Sequence, residues 1–272
     1  MKSIINKFAW PILVILLLVV VYIDGFVILK SSIIRKKCTE DLIEVSNFNK
    51  EEVFKVSKII KYSSAEAVDN TSDQSLQDLS IYQYSDFAIY IDNLSDELSE
   101  KNTVKELYLD NFKIDVEYEK GEPALYYKNP LEISKFRLIE DNKIDEKLEY
   151  NVIFTNKENR EKQYENPTFF TDCTNPITIG YINKNIVDKY QVTKENGLVS
   201  FDGRIFKNLD IDLNKLSPKV SFTIHIVNNL GEKYICNMSV DLNLENKQKS
   251  VKDGYMLETM KDIGYYRFFR EM

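Results

Sequence analysis

Apolar residues recur along this chain in two different patterns. From Phe8 to Leu29 they are continuous. The stretch FAWPILVILLLVVVYIDGFVIL has 22 residues and a single charge, Asp24. At about 1.5 Å of rise per residue, a helix of this length crosses the roughly 30 Å hydrocarbon core of a bilayer. From Val53 onward the pattern changes to short alternating runs separated by polar turn sequences, the period of strands with one wet face.

Val220 to Leu244 is the clearest of these runs. Phe222, Ile224 and Ile226 alternate with Thr223 and His225; Asn228-Asn229-Leu230-Gly231 follows; then Tyr234, Cys236, Met238, Val240 and Leu242 alternate again. Two period-2 runs joined by an Asn/Gly turn predict a β-hairpin. Further strands are predicted at Val53–Ile60, Ile81–Ile91, Val104–Ile114, Leu131–Ile139, Leu148–Thr155 and Ile177–Ile182, with two short ones in Tyr255–Arg270. Asp69–Asp78 reads as a loop, and Gly203–Leu216 fits either a short helix or a strand. Asn129-Pro130-Leu131-Glu132-Ile133 and Asn175-Pro176-Ile177-Thr178-Ile179 share a strand-entry pattern in which Pro removes no ladder bond.

The fold class expected is therefore mainly β: an N-terminal transmembrane helix followed by an antiparallel β-sandwich body, either one large sandwich or two in tandem. The segments are a tail (1–7), the transmembrane helix (8–29), a juxtamembrane stalk (30–52), a first β-rich half (53–156), a charged connecting loop (157–167) and a second β-rich half (168–272). Tyr (17) and Phe (15) are plentiful while Gly (8) and Pro (6) are scarce, which suits packed strands rather than disorder.

An uncleaved signal-anchor explains the first 37 residues better than a cleaved signal. The far end of the run, Gly25-Phe26-Val27-Ile28-Leu29-Lys30, has no small-x-small cleavage pattern. Trp10, Lys30, Arg35, Lys36 and Lys37 are the expected membrane-interface residues. Asp24 is close enough to the end of the span to reach that interface. Counting Lys and Arg on either side puts the body in the cytoplasm. The seven-residue tail and the Tyr-rich acidic body favour the opposite side, and the expectation is a single-pass membrane protein with an extracytoplasmic body.

Charge narrows the partners. Residues 1–37 hold six Lys and Arg against Asp24 alone, which leaves a net −12 on residues 38–272 out of the chain's −7. An acidic body lacks the Lys/Arg surface that neutralises phosphates, so nucleic acid is excluded as a partner. The partners expected are the membrane and a protein or glycan.

Candidate chemistry is sparse. No phosphate-cradling Gly motif is present, and no cofactor is implied. His225 is the only histidine, and it alternates away from the apolar face without a nucleophile motif nearby. Tyr90-Ile91-Asp92-Asn93 and Tyr108-Leu109-Asp110-Asn111 repeat one pattern. If their strands were neighbours, Asp92, Asn93, Asp110 and Asn111 could offer hard oxygen ligands to Ca²⁺; otherwise they mark strand ends and turns.

Tyr234 stands two residues before Cys236, which resembles the tyrosine corner and second cysteine of an immunoglobulin domain. The resemblance implies an immunoglobulin-like sandwich with Cys173 as the first cysteine and a Cys173–Cys236 disulfide; no Trp follows Cys173, and two buried thiols are the alternative. The function expected is non-enzymatic binding or envelope assembly. The rivals are a membrane-tethered hydrolase using carboxylates and an accessory subunit of a transport or secretion complex in which Asp24 meets a partner helix.

Overall fold

The computed structural model describes residues 52–71, 77–95, 97–128, 142–159, 166–192, 202–260 and 263–271. The tail, the Phe8–Leu29 span, the stalk up to residue 51 and the predicted strand Leu131–Ile139 lie outside the described residues. Among the described residues, no helix is long and apolar enough to cross a membrane.

Among the described residues, twelve strands build two six-stranded sheets. Sheet A contains β1 (Phe54–Asp69), β2 (Leu79–Asn93), β4 (Glu122–Tyr127), β5 (Lys143–Ile144), β8 (Ile177–Tyr190) and β11 (Met256–Thr259), in the order β11-β1-β2-β8-β4-β5. Sheet B contains β3 (Val104–Asp115), β6 (Leu148–Ile153), β7 (Thr168–Phe170), β9 (Lys219–Asn228), β10 (Lys233–Asp241) and β12 (Phe269–Arg270), in the order β12-β10-β9-β3-β6-β7.

The predicted hairpin is present as β9 and β10, paired antiparallel from Val227↔Lys233 to Lys219↔Asp241. Its turn is held by the buried Asn228. The Asn228 carbonyl oxygen accepts from the Leu230 and Glu232 amides at 3.1 and 2.8 Å, and its amide donates to the Lys101 carbonyl at 2.8 Å. Gly231 takes φ +81° there, a conformation glycine adopts without steric cost.

Both sheets draw strands from either side of 157–167, and Glu52–Met272 forms one compact unit. One expectation needs correction: sheet B is not wholly antiparallel. β6 and β7 run parallel, with Asn151 opposite Thr168 and Ile153 opposite Phe170. A tight turn cannot join parallel neighbours, so the chain needs a long return between them, and stretch 154–167 supplies its length.

The apolar faces of the two sheets share one hydrophobic cluster, in which Phe54 meets Tyr234 edge-on at 5.4 Å and Phe87 stacks on Phe222 at 6.1 Å. A second cluster lies at the far end of sheet A, where Ala65, Ala67, Leu79 and Ile81 pack with Ile205, Phe206, Leu213 and Val251. Those partners come from short helical segments, Gly203–Lys207, Leu213–Leu216 and Val251–Asp253. Asp202, Asp212 and Ser250 cap their first turns by accepting from backbone amides. The ambiguous Gly203–Leu216 is thus two short helical turns.

Between the clusters the same face of sheet A is polar. Ser63 and Ser85 hydrogen-bond to each other at 2.8 Å across the β1–β2 register, and Gln83 stands opposite Asn183 on β8. Lys61 reaches from β1 to the Asp241 carbonyl on β10 at 3.0 Å and pairs with Glu258 at 2.9 Å. It thereby ties the two sheets together.

Phe87→Ala should remove a fully buried ring from the shared cluster and cost about 3–5 kcal/mol. Equilibrium urea unfolding of residues 52–272 measures it; a loss under about 1 kcal/mol would mean the two sheets do not pack through this ring.

Candidate functional site

The outward side of sheet A carries an unusual concentration of tyrosine and buried charge. Strand alternation places Ile60, Tyr62 and Ser64 of β1 on this side. Tyr84, Asp86 and Ala88 of β2 stand opposite them in register. Next come Ile182, Gly180 and Thr178 of β8, and then Ala124 and Tyr126 of β4. β11 completes the edge with Leu257 opposite Tyr62. Tyr84, Tyr126 and Ile182 form a buried cluster against which Tyr62 and Ala124 pack.

An ion pair lies inside this face. Lys128 follows β4, and its Nζ stands 3.4 Å from Asp86 Oδ2, with side-chain exposures of 4% and 0%. The two side chains meet above Gly180, in the strand between them. A Cβ on Gly180 would fall 2.7 Å from Lys128 Cγ and 2.8 Å from Asp86 Oδ1. Glycine at that position is what allows the pair to form. Neither oxygen of Asp86 is met by a donor in hydrogen-bonding geometry.

Burial pushes the Asp86 carboxyl up to about 7, and the neighbouring Lys128 acts against that rise. The folded protein therefore holds the Asp86 proton more tightly than the unfolded chain does. The stability that this neutral, protonated carboxyl confers is full below the ordinary carboxylate range and is lost as pH rises through about 7. Burial likewise raises the Tyr84 hydroxyl and the Tyr62 hydroxyl.

Toward β11 the face opens to solvent. Tyr255 stacks on Tyr62 with centroids 5.4 Å apart and planes 20° apart, and is 58% exposed; Leu257 is 47% exposed. Lys58 lies over the Tyr90 ring at 4.2 Å on the same side of the sheet.

His225 does face away from the apolar side of β9, and it has company there. Its ring stacks on Tyr108 at 4.4 Å with planes 7° apart, and its Nε2 is 2.8 Å from Asp110 Oδ1. Lys147 Nζ lies 4.2 Å above the other partner ring, Tyr108, and is 2.5 Å from Glu149. An Asp–His dyad could activate a hydroxyl, but Thr223, across the register from Asp110, donates to Asn237 Oδ1 at 3.0 Å. A cleft of about 650 Å³ lies elsewhere, lined by Tyr118, Ile186, Leu209 and Ile211 with Lys120, Asp188 and Asp210.

The proposed Ca²⁺ ligands are not brought together. Asp92 and Asn93 end β2 in sheet A, between β1 and β8; Asp110 and Asn111 belong to β3 in sheet B, between β6 and β9. Asn111 instead takes φ 55° at an irregularity in the β3–β9 register and donates to Asp110 at 2.8 Å. Among the described residues, no group of three or more His, Cys, Asp or Glu side chains could hold a metal ion.

Cys173 and Cys236 are free thiols, not a disulfide. Cys236 is on β10 and Cys173 turns the chain just after β7, four strand spacings away in the same sheet. At about 4.8 Å per spacing that is roughly 19 Å, far beyond the Cα separation a disulfide spans. Burial pushes the Cys236 thiol up to about 12 and the Cys173 thiol higher still. The Tyr234 hydroxyl donates to Glu232 at 2.8 Å while its ring packs on Phe54. Trp10, Lys30, Arg35, Lys36 and Lys37 lie outside the described residues.

Sequence reasoning did not find Asp86 and Lys128. One signal was present: Gly180 interrupts the apolar strand Ile177–Ile182, and an isolated strand glycine marks a close approach by another group. No known protein family, curated protein or solved structure matches the chain. The class that the fold defines is a mainly β protein of one antiparallel and one mixed sheet, with few helices among the described residues.

Gly180→Ala should destabilise the body by about 1–3 kcal/mol, because the new methyl collides with the Lys128 stem and the Asp86 carboxyl. A thermal melt beside the parent protein reads this directly; an unchanged midpoint would mean the pair does not sit over Gly180. Thiol counting provides a separate check. Cys173 and Cys236 should both react with maleimide in urea without prior reduction, and dithiothreitol should leave the melting temperature unchanged.

Proposed function

We propose that this is a single-pass membrane protein with an extracytoplasmic β-sandwich body that works by binding or by assembling with other envelope components, without catalysis of its own. The Phe8–Leu29 stretch supports the anchor, since its length and apolarity match a bilayer core. The shared hydrophobic cluster between sheets A and B supports the sandwich. The immunoglobulin-like reading draws its support from that layering, because the paired cysteines that suggested it are free thiols.

One observation carries the binding reading: the strip of Tyr62, Tyr255 and Leu257 at the open edge of the sheet A face. Stacked tyrosines offer rigid apolar area with a polar tip, the chemistry that contacts protein and glycan surfaces well. A carboxylate hydrolase would instead need two acids converging on an accessible cleft. Asp86 faces Lys128 and is sealed from substrate, and of the two acids that line the 650 Å³ cleft, Asp188 is engaged by Ser80 and the Lys189 amide.

The test uses the full chain in its own membrane. In a Cys38→Ser background, Leu257→Cys should react with a membrane-impermeant maleimide on intact cells, and labelling only after lysis would sink the extracytoplasmic placement. A photo-cross-linking side chain at position 257 should trap a protein or glycan in those cells, whereas one at the exposed position 119 should not. Equal yields at both positions would remove the strip as the binding surface.

A further inference from the structure

We propose that Lys128 and Asp86 are joined by an intramolecular amide bond, a covalent brace between β4 and β2 across the intervening β8. The inference rests on how the pair is housed. Both side chains are almost entirely withdrawn from water, and their polar ends stand 3.4 Å apart. Tyr84, Tyr126 and Ile182 form the cluster on the same side of the sheet. No donor meets either Asp86 oxygen in good geometry.

A buried ion pair offsets its desolvation cost only when its geometry is good and its remaining lone pairs are hydrogen-bonded. At 3.4 Å the Lys128–Asp86 contact is longer than a good charge-assisted hydrogen bond, and no donor besides Lys128 meets the Asp86 oxygens. Converting two buried charges into one neutral amide removes the term that makes the arrangement costly. The same site also supplies what amide formation requires. A low-dielectric pocket favours transfer of one proton from the Lys128 ammonium to the Asp86 carboxylate, giving an amine beside a carboxylic acid. Lys128 Nζ stands 3.4 Å from Asp86 Oδ2, an oxygen bonded to the Cγ it would attack, and fixed placement of that kind replaces a bimolecular encounter.

The step balances without any other reactant. The Lys128 Nζ lone pair forms a bond to Asp86 Cγ, and the bond from Cγ to the protonated oxygen breaks. That hydroxyl leaves with one proton from the amine, as water. Nothing is oxidised or reduced. Gly180 is the positioning residue, because a Cβ there would collide with the Lys128 stem and with Asp86 Oδ1 and push the two side chains apart. Once formed, the amide leaves no carboxyl at position 86 to titrate.

Mass spectrometry of the full chain, purified from its membrane, decides the matter. Trypsin does not cut after an acylated lysine. The digest should therefore contain a branched peptide joining Tyr62–Lys101 to Gly121–Lys135, lighter than the sum of its two arms by one water. Fragmentation should place the junction at Asp86 and Lys128. The Lys128→Arg chain should give no branched peptide. Because the readout is made on the parent protein, it stands even if that variant fails to fold. Recovery of Gly121–Lys128 only as a free linear peptide from the parent protein overturns the proposal.

Discussion

Sheet A is longer than the sheet that packs against it. Its three central strands, β1, β2 and β8, run for 16, 15 and 14 residues, whereas the longest strand of sheet B, β3, has 12 and its neighbour β9 has 10. An apolar sheet face must be covered along its whole length. Sheet B covers one part, and the short helical turns at 203–207, 213–216 and 251–253 cover the rest. The interior is consequently two apolar clusters rather than one. Where the two kinds of cover meet, sheet A presents Ser63, Ser85, Gln83 and Asn183 to the inside. Lys61 lies beside this junction, and its reach to β10 keeps the two sheets in register with each other.

That mismatch also explains what could be read from the residues alone. Strands were legible wherever one apolar face met one wet face, as in β9 and β10, where Phe222, Ile224 and Ile226 oppose Cys236, Met238 and Tyr234. Legibility failed where the interior is polar. β1 continues past Ile60 through Lys61 and Ser63, and β8 past Ile182 through Asn183, and none of these residues reads as core. The parallel β6–β7 pair was hidden as well, because a charged return segment looks the same whether it separates domains or carries the chain back along one sheet. Cys236 and Tyr234 had the right spacing for a motif, but motif geometry depends on which strands become neighbours, and that is decided by pairings far along the chain.

The Asp86–Lys128 site belongs to this last class. Its two residues are brought together only because β8, arriving from much later in the sequence, inserts between β2 and β4 with a glycine at the crossing point. Each residue alone reads as ordinary surface charge. Together they form a charged centre within a tyrosine face that grades from sealed at Tyr84 to open at Tyr255. The gradient separates two roles on one side of one sheet, a rigid interior and an accessible margin.

The edge pairing of β1 with β11 has a consequence for the order of events as the chain is made. β1 begins at Phe54, yet its edge partner is Met256–Thr259, and β10 likewise waits for Phe269–Arg270. The β1–β2 hairpin is local and can zip as soon as both strands exist, but neither sheet is complete until β11 and β12 have been synthesised. Until then the growing chain exposes long unpaired strand edges, which is the state most prone to pairing with another chain. Loss of Phe269–Arg270 would therefore prolong that vulnerable interval indefinitely, a larger penalty than the few contacts made by a two-residue strand would suggest.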